Sequence, residues 1–404
     1  MVDLPHKKRI LLITSWFPAD VGRRGLFNEF ADAAVAAGAE IDVIAIDWRD
    51  VDQATNVTSV HQNAGMNVYR FKPLNIGGFG KFVSLIVKWI GTSLKAALTI
   101  IRLLRRNDYD VIVSHVPSAV WAPVLICILF SRSKKYLIQW DFVPYHQRAM
   151  GMMSNGITFQ ILLFLERALV RGFDVIGCMS EMNIVFLRKH YWIGKKQKVE
   201  ILPIWTEAIF PKKPNRKKIR AQYGLPQDKK IAVFGGTLSK GRGLEDIIAA
   251  AHTVDERTSN ILFLIVGRGP LEIEIGAMAE GLTNVKVMPA IPKHDYLKLL
   301  CACDCGVVAT QRDTGVPTFP HKTLDYFRTG LPVVASVESS TDFGDFLEKQ
   351  HAGIIVQAGD RSRLLSAVVA ACNQKSKGVE MVANGKNLIA DYFNVNNVLN
   401  RVLR

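Results

Sequence analysis

Residues 230–251 read KIAVFGGTLSKGRGLEDIIAAA and contain a complete strand–turn–helix unit. An apolar run ends at Phe234, two glycines follow, and a helical apolar pattern begins at Leu244. Glycines let a backbone approach a ligand closely, and a helix N-terminus attracts anions. Lys240 and Arg242 add positive charge to the turn. The loop matches neither GxGxxG nor GxxxxGK[ST], the two common nucleotide-binding motifs. It therefore predicts an anion-binding site of another kind.

The same alternation of short apolar runs and amphipathic helices extends on both sides of this unit. Such alternation is typical of parallel sheets covered by helices on both faces. The pattern restarts after residue 205, which predicts two doubly wound domains in a chain of 404 residues. We place the first at residues 1–205, joined by a C-terminal helix at 386–404, and the second at 206–385. Residues 211–230, rich in lysine, arginine and proline, are predicted to form a mobile, solvated connector.

Composition and charge restrict the class of protein. Apolar residues make up 49% of the chain, so a disordered chain is excluded. Lys and Arg number 51 against 36 Asp and Glu, and the net charge of +15 favours anionic partners. We do not expect a helix that spans a membrane, and the N-terminus does not have the pattern of a signal peptide. The six scattered cysteines predict free thiols in a reducing cytoplasm.

Two further segments favour anion binding. The turn at 267–271, GRGPL, follows an apolar strand at the edge where ligands of α/β proteins collect. Residues 314–336 read TGVPTFPHKTLDYFRTGLPVVAS, which predicts a proline-stiffened loop, a helix over 321–329 capped by Gly330, and a buried strand. Lys322 and Asp325 share one face of that helix. A cation near a helix N-terminus is unfavourable, so Lys322 is expected to meet an anion.

The order of these segments resembles the GT-B glycosyltransferases, specifically the large retaining, family 4-like group. The resemblance rests on the turn 236–243 with its Arg242, the turn 267–270, the segment NVKVMPAIP at 284–292, and the stretch LDYFRTGLPVVAS. The later GDFLEKQHAGIIVQAGD is also similar to that group. The resemblance implies two Rossmann-like domains facing a cleft, with the nucleotide-sugar donor bound to the second domain and the acceptor bound to the first.

The resemblance also implies the residues of the site. SWFPADVGRRG at 15–25 resembles the glycine loop near the donor phosphates, and QWDFVPYHQ at 139–147 resembles an "HD..P" segment. The implied catalytic residues are Asp141, Arg242 and Lys322. The implied donor-binding residues are Gly22, Gly25, Gly236, Thr237, Arg242, Gly267, Arg268, Ile291, Thr318, Phe319, Lys322 and Asp325.

This chain departs from the family pattern at three positions. The first acid of the E-x7-E motif falls on Pro317, and the second falls on the shorter Asp325. Asp313 or Thr314 is the available substitute for the first. The histidine of "HD..P" falls on Trp140. Elsewhere, His115 is expected to be structural and His146 to lie at the surface.

No metal or cofactor is expected. The DYD of 108–110 spells the D-x-D of metal-dependent glycosyltransferases, but it precedes a strand instead of following one. We therefore expect cationic side chains and helix dipoles to stabilise the leaving diphosphate.

The predicted helix over 80–106 carries Lys81, Lys88, Lys95 and Arg102 at intervals of seven residues. Because heptad spacing drifts by only about 20° per repeat, the four cations form one stripe. Either this is a core helix with a solvated basic edge, or the helix lies on an anionic bilayer with apolar help from residues 121–130 and 157–170. Nucleic acid is disfavoured, because the aromatic residues are not interleaved with the basic ones.

These observations together predict a retaining hexosyltransferase. It would move a hexose or N-acetylhexosamine from a nucleotide-diphosphate sugar, UDP being favoured, to a lipid-linked saccharide in bacterial polysaccharide or exopolysaccharide biosynthesis. We expect a peripheral position on the inner face of the plasma membrane. Two alternatives stay open: a nucleotide-sugar epimerase of the same fold, and a non-catalytic, membrane-bound partner of the assembly machinery.

Overall fold

A computed structural model describes residues 8–18, 24–48, 60–63, 65–73, 81–212, 214–254, 260–373 and 375–404. The chain divides into two compact units. The first comprises residues 1–148, 153–203 and 395–404, and the second comprises 149–152 and 204–394. The division near residue 204 lies two residues from the boundary expected from the sequence.

The first unit is built on an eight-stranded sheet with the strand order β3-β4-β2-β1-β5-β6-β7-β8. All neighbouring strands are parallel except β3, which runs antiparallel to β4. The order reverses between β1 and β5, so this is the topological switch point at which ligands of such sheets bind. Its elements are β1 (Arg9–Thr14), α1 (Leu26–Ala36), β2 (Glu40–Ile46), β3 (Val60–Asn63), β4 (Met66–Phe71), α2 (Lys81–Arg106), β5 (Val111–His115), a 3-10 turn (Pro117–Val120), α3 (Trp121–Phe130), β6 (Lys134–Gln139), α4 (Tyr145–Ala149), α5 (Ile157–Val170), β7 (Val175–Cys178), α6 (Glu181–His190) and β8 (Lys198–Ile201).

The second unit contains a six-stranded, fully parallel sheet with the order β11-β10-β9-β12-β13-β14. The strand order reverses between β9 and β12, which pair over only two positions before they diverge. The elements are α7 (Arg216–Gln222), β9 (Lys230–Gly235), α8 (Leu244–Ala251), β10 (Ile261–Val266), α9 (Glu272–Met278), β11 (Val285–Met288), α10 (Lys293–Leu300), β12 (Cys305–Ala309), α11 (Lys322–Thr329), β13 (Val333–Val337), α12 (Phe343–Lys349), β14 (Gly353–Gln357), α13 (Arg361–Asn373) and α14 (Lys375–Asp391); α15 (Val395–Leu403) returns to the first unit.

The central strands form because their residues are apolar on both faces. Every residue of β10 (ILFLIV) is buried, as is every residue of β12 and β13. Helices α8 and α13 cover one face of this sheet and share its hydrophobic core. Burial on both faces is what distinguishes parallel sheets in α/β folds. The prediction of two doubly wound α/β units is confirmed.

The prediction of a mobile connector is wrong for residues 216–230. Arg220 on α7 is almost fully buried, and its guanidinium donates to the carbonyl oxygens of Ala302, Pro226 and Lys229 and to the Asp304 carboxylate at 2.8 Å. The basic segment is therefore folded onto the second sheet. A carboxylate 84 residues further along the chain pairs with it, which a local charge count cannot reveal.

Candidate active site

The glycine loop between β9 and α8 lies at the switch point of the second sheet. Gly243 precedes α8 with a φ of 56°, and a side chain there would meet the carbonyl of Thr310 at 2.9 Å. Only glycine fits that position without strain. The loop is fastened to the end of β12 by two hydrogen bonds, from Gly241 N to Gln311 Oε1 and from Gln311 N to the Gly241 carbonyl. Gly236, Thr237 and Arg242 are all exposed.

The second glycine turn packs directly against the first. A Cβ at Gly267 would lie 1.9 Å from the carbonyl oxygen of Gly236, so no other residue allows this approach. Backbone hydrogen bonds from Leu238 N to the Arg268 carbonyl, and from Leu271 N to the Leu238 carbonyl, join the two turns. Arg268 is exposed at the same edge.

Helix α11 is held between β9 and β12 by the fully buried Tyr326. Its hydroxyl accepts a hydrogen bond from Gly235 N and lies within hydrogen-bonding distance of the Val233 and Val307 carbonyls, each contact at 3.2 Å. Gly330 ends the helix in the left-handed conformation, as predicted. This anchoring fixes the first turn of α11 beside the glycine loop.

Lys322, the first residue of α11, points its ammonium into the sheet edge. The Nζ atom lies 3.1 Å from the centroid of the Phe234 ring, and a side chain at Gly236 would approach it to 3.7 Å. The atom is buried and has no hydrogen-bond partner among the described residues. Burial, and then the nearby charge of Arg242, hold the pKa of Lys322 well below its usual value. The structure thus brings Lys322 and Arg242 together at the glycine loop.

Asp325 does not face Lys322. Both of its carboxylate oxygens accept from Lys293 Nζ at 2.6 Å, and Lys293 opens α10. Lys293 was not expected from the sequence. The half-buried Ile291 lies two positions before Lys293, in the loop that precedes α10. The pair between Lys293 and Asp325 therefore places Asp325 next to this loop.

The loop between β12 and α11 is arranged by a carboxylate that sequence reasoning missed. Glu338, the residue after β13, accepts from Thr314 N at 2.8 Å and from the Thr314 hydroxyl. Burial raises the pKa of Glu338, against the hydrogen bonds from Ser340 and Thr314. In the sequence, the only indication of a role for Glu338 was its position directly after the buried strand β13.

The loop that precedes α11 also contains Pro317, Thr318 and Phe319. The Thr318 carbonyl accepts from Thr341 Oγ1 at 2.5 Å, and Pro317 is buried. Phe319 is buried in an aromatic cluster with Phe343 and Phe393. Its ring therefore serves the core, and only its backbone is left for a ligand.

In the first unit, Gly25 precedes α1 in an extended conformation and packs against the Trp16 ring. Its N–H donates to Asn28 Oδ1, whose amide in turn donates to the Pro18 carbonyl. Gly22 lies outside the described residues. The DYD segment is structural: Asp110 accepts from Arg9 N and Lys8 Nζ, and Tyr109 donates to Asp42.

Asp141 follows β6 and is flanked by two imidazoles. His115 Nε2 lies 3.7 Å from one carboxylate oxygen, and His146 Nδ1 lies 3.9 Å from the other. The Asp141 side chain is 58% exposed and each imidazole is 12% exposed. The prediction that His146 lies at the surface is wrong, because its Nδ1 accepts from Phe142 N at 2.9 Å and closes the turn before α4. Trp140 is buried.

Glu166 on α5 is a further carboxyl group that the sequence did not reveal. It is completely buried, and one oxygen accepts from Ser118 N at 2.9 Å in the 3-10 turn. Burial raises the pKa of Glu166 to about 7; the Ser118 hydrogen bonds oppose the shift, and the charge of Asp141 adds to it.

Within the described residues, no cluster of three or more His, Cys, Asp or Glu side chains is arranged to hold a metal ion. Metal independence stays a prediction.

Two Rossmann-like units, with glycine turns at the switch point of the second, correspond to the GT-B fold. Residues 215–388 match the family described as "Glycosyl transferases group 1". This match lies within the second unit, and the GT-B resemblance is confirmed.

Known proteins resemble the chain over different lengths. It is 31% identical over 255 residues to the "Putative colanic acid biosynthesis glycosyl transferase WcaI" of Escherichia coli K12, which covers 60% of this chain and only 61% of that protein. Sucrose-phosphate synthase from Thermosynechococcus elongatus superposes with a TM-score of 0.72 at 18% identity, covering 98% and 97% of the two chains. Anabaena Alr3699/HepE in complex with UDP superposes with a TM-score of 0.68 at 15% identity, covering 98% of both.

Proposed function

We propose that this protein is a retaining glycosyltransferase that takes a hexose or N-acetylhexosamine from a nucleotide-diphosphate sugar. The observation that carries the proposal is Lys322, a buried ammonium group without a hydrogen-bond partner in the described structure, beside the glycine loop. Burial disfavours the charged form of this amino group, and an anion beside it would stabilise the ammonium form. The diphosphate of the donor supplies that anion, and Arg242 supplies a second cation from the exposed side of the loop.

The donor is proposed to be a UDP-sugar. The structural neighbour HepE binds UDP, and the group 1 domain match supports a nucleotide-sugar donor in general. Asp325 is proposed to accept hydrogen bonds from the ribose hydroxyls, with Lys293 holding the carboxylate in place. In the chemical step, Lys322 and Arg242 would stabilise the negative charge that develops on the leaving diphosphate.

The acceptor is proposed to be a lipid-linked saccharide of exopolysaccharide biosynthesis. The WcaI similarity supports an exopolysaccharide role. A lipid-linked acceptor requires the enzyme to work at a membrane, and no described helix is long and apolar enough to cross one. We propose that the protein attaches to the membrane through a surface of the first unit.

The first unit exposes such a surface, which we call the apolar face. Helices α2 and α3 pack together, α3 packs against α5, and each exposes large apolar residues at helical spacing. Leu98 is 57% and Ile157 is 78% exposed. The apolar face consists of Ile90, Leu94 and Leu98 on α2, Leu125, Leu129 and Phe130 on α3, and Ile157, Ile161 and Phe164 on α5.

Cations border the apolar face along α2. Lys95 and Arg102 are exposed and Lys88 is half-buried, while the side chain of Lys81 lies outside the described residues. Leu98 follows Lys95 by three positions and lies roughly 60° from it around the helix. Anionic headgroups would meet the cations while the neighbouring leucines enter the acyl region. This arrangement favours an anionic bilayer as the occupant of the face.

Donor turnover separates the candidate functions. A thermal-shift screen of nucleotide sugars identifies the ligand, and the best binder is then incubated without acceptor. Slow release of free sugar is the expected result for a transferase. Interconversion of the sugar would instead identify an epimerase, and tight binding without turnover, even with membrane extract added, would identify a non-catalytic partner.

Sedimentation with phosphatidylglycerol-containing vesicles tests the membrane proposal. Each aligned cation contributes about 1 kcal/mol at an anionic surface, so replacing Lys81, Lys88, Lys95 and Arg102 by Gln should release the protein. A Leu94→Ser, Leu98→Ser variant should lose binding at high salt, where the apolar contribution dominates. UDP binding should persist in both. If the quadruple variant sediments like the parent, the cations form only a solvated helix edge.

A further inference from the structure

Two cysteines of the second unit touch inside its hydrophobic core. Cys305 is the first residue of β12, and Cys372 lies at the end of α13, the helix that packs on this face of the sheet. Their Sγ atoms lie 3.6 Å apart although the two residues are 67 positions apart in the chain. Both are free thiols in this structure. Because a disulfide bond is about 2.0 Å long, the two sulfur atoms need to approach by only about 1.6 Å to be joined.

The two thiols differ in their access to solvent. Cys305 is fully buried, whereas Cys372 is half-buried at the border of the core. The contact with Cys372, and then burial, hold the pKa of the Cys305 thiol well above its usual value. Cys372 is therefore the sulfur that a dissolved oxidant meets first. An accessible cysteine beside a second, resolving cysteine is the arrangement typical of reversible thiol oxidation.

The neighbouring cysteines are placed differently. The Cys303 thiol donates to the Leu299 carbonyl at 3.3 Å, so it is directed toward α10 instead of α13. Cys301 is half-buried like Cys372 and follows the end of α10. Within the described parts of the chain, no group of three or more His, Cys, Asp or Glu side chains could hold a metal ion. The contact between the two thiols is therefore better suited to oxidation than to metal binding.

We propose that Cys305 and Cys372 form a reversible disulfide when the protein meets a peroxide, and that this bond locks α13 onto β12. The Cys372 sulfur attacks one peroxide oxygen, and the O–O bond breaks. The departing hydroxide takes the thiol proton and leaves as water, and a sulfenic acid remains on Cys372. The Cys305 sulfur then attacks the Cys372 sulfur, the S–O bond breaks, and the second hydroxide leaves as water with the Cys305 proton. In total the two thiols lose two electrons, and hydrogen peroxide is reduced to two molecules of water.

The disulfide would lie at the edge of the sheet opposite to the glycine loop. Cys305 begins β12, whereas Gln311, which is hydrogen-bonded to Gly241 of the glycine loop, follows the other end of this strand. Because a strand rises by about 3.3 Å per residue, the bond would be roughly 16 Å or more from that loop. It therefore acts on the stability of the second unit from outside the candidate site.

The bond would close a long loop of the chain. Helices α11 and α12 and strands β13 and β14 all lie between the two cysteines. A cross-link between residues so distant in sequence restricts the unfolded chain strongly, and the folded state gains stability. For a unit of this size we expect the melting temperature of the oxidised protein to be about 10 °C higher than that of the reduced protein. Dithiothreitol should reverse the change.

The test oxidises the reduced, full-length protein with hydrogen peroxide, and then blocks the remaining thiols with iodoacetamide. Mass spectrometry should find the tryptic peptides 299–312 and 364–375 joined, with a pair of hydrogen atoms fewer than their sum, and separated again by dithiothreitol. Since the first peptide contains Cys301, Cys303 and Cys305, fragmentation must assign the bond to Cys305. Differential scanning calorimetry measures the melting temperature of both forms. No ligand is required, so the result does not depend on the proposed glycosyltransferase function.

Two variants make the assignment specific. Cys372→Ser changes a half-buried side chain, and it should fold but lose both the joined peptides and the rise in melting temperature. Cys301→Ser is the matched control and should keep both. A bond from Cys372 to Cys301 or Cys303, or oxidation of Cys372 to a sulfinic acid without any cross-link, would overturn the proposal. So would a Cys305–Cys372 bond that leaves the melting temperature unchanged, because α13 would then not be locked.

Discussion

Replacing Lys322 by Met should stabilise the second unit and weaken donor binding at the same time. Met is an unbranched side chain that can pack against Phe234 as Lys322 does, but it carries no charge. Removing a buried polar group without a hydrogen-bond partner recovers about 1–3 kcal/mol. The cation–π contact with Phe234 is worth at most about 2 kcal/mol, and it requires the charged form that burial disfavours. We therefore expect a net gain of about 1 kcal/mol, or a rise of about 2–4 °C in the melting temperature of the second unit.

Binding should change in the opposite direction. A charge-assisted hydrogen bond to the diphosphate contributes about 1.5–3 kcal/mol, so the Kd for UDP should rise by roughly 10- to 100-fold. Calorimetry measures the Kd, and differential scanning calorimetry measures the melting temperature. The exposed Lys349→Met should change neither quantity.

The pH dependence gives a second signature of Lys322. Its pKa is lowered in the folded state, so the unfolded chain binds a proton that the folded chain lacks. Stability should therefore rise as the pH increases toward the ordinary lysine value of 10.5, and the Met variant should lose this part of the slope. The diphosphate favours the protonated form of Lys322, so the protein takes up a proton when the donor binds. The affinity for UDP should therefore fall as the pH rises.

Arg220→Met is the matched control for a buried cation. Arg220 has partners on every side, including Asp304, and removing one member of a buried ion pair costs about 3–5 kcal/mol. The same type of substitution should thus stabilise at position 322 and destabilise at position 220. If Lys322→Met also lowers the melting temperature and leaves UDP binding intact, Lys322 is a structural cation and the assignment of the donor site is wrong.

Three further predictions concern both units. Burial raises the pKa of Glu166 to about 7, so between about pH 4.5 and 7 the folded chain holds a proton that the unfolded chain releases. The free energy of unfolding of the first unit should therefore fall by about 3 kcal/mol as the pH rises across that window. Glu166→Gln should remove this pH dependence, as measured by urea titrations. Asp325→Asn should weaken UDP binding less than Asp325→Ala, as measured by calorimetry, because the amide keeps one acceptor for the ribose; equal affinities in both variants and the parent would limit Asp325 to holding Lys293. Turnover should survive EDTA, since cations are already placed at the diphosphate, and loss of activity that Mn²⁺ restores would contradict this.

The sequence was sufficient to predict features that depend on local pattern. The glycine turns, the start of α8, the Gly330 cap and the buried strands follow from residue type and spacing, and the structure has all of them. Lys322 was predicted for a local reason too, since a cation at a helix N-terminus is unfavourable without an anion.

The missed features depend on partners that are distant along the chain. Lys293 meets Asp325 after 32 residues, and Arg220 meets Asp304 after 84. His115 was expected to be structural because a lone histidine carries no signal, and its position 3.7 Å from the Asp141 carboxylate follows only from the pairing of β5 with β6. Glu338 follows a strand whose pairing sets the loop at Thr314. In each case the sheet topology, which spacing cannot give, creates the contact.

The distribution of buried charges distinguishes sites from scaffold in this protein. Arg220 is buried far from the switch points and has several hydrogen-bond partners. Lys322 and His115 are buried at the two switch points, and each has a polar atom without a hydrogen-bond partner in the described structure. A destabilising group of this kind can be retained when another state of the molecule compensates for it, and we propose that for Lys322 this state is the one with a bound anion. We therefore expect a substitution that removes the Lys322 ammonium group to weaken anion binding and to raise stability.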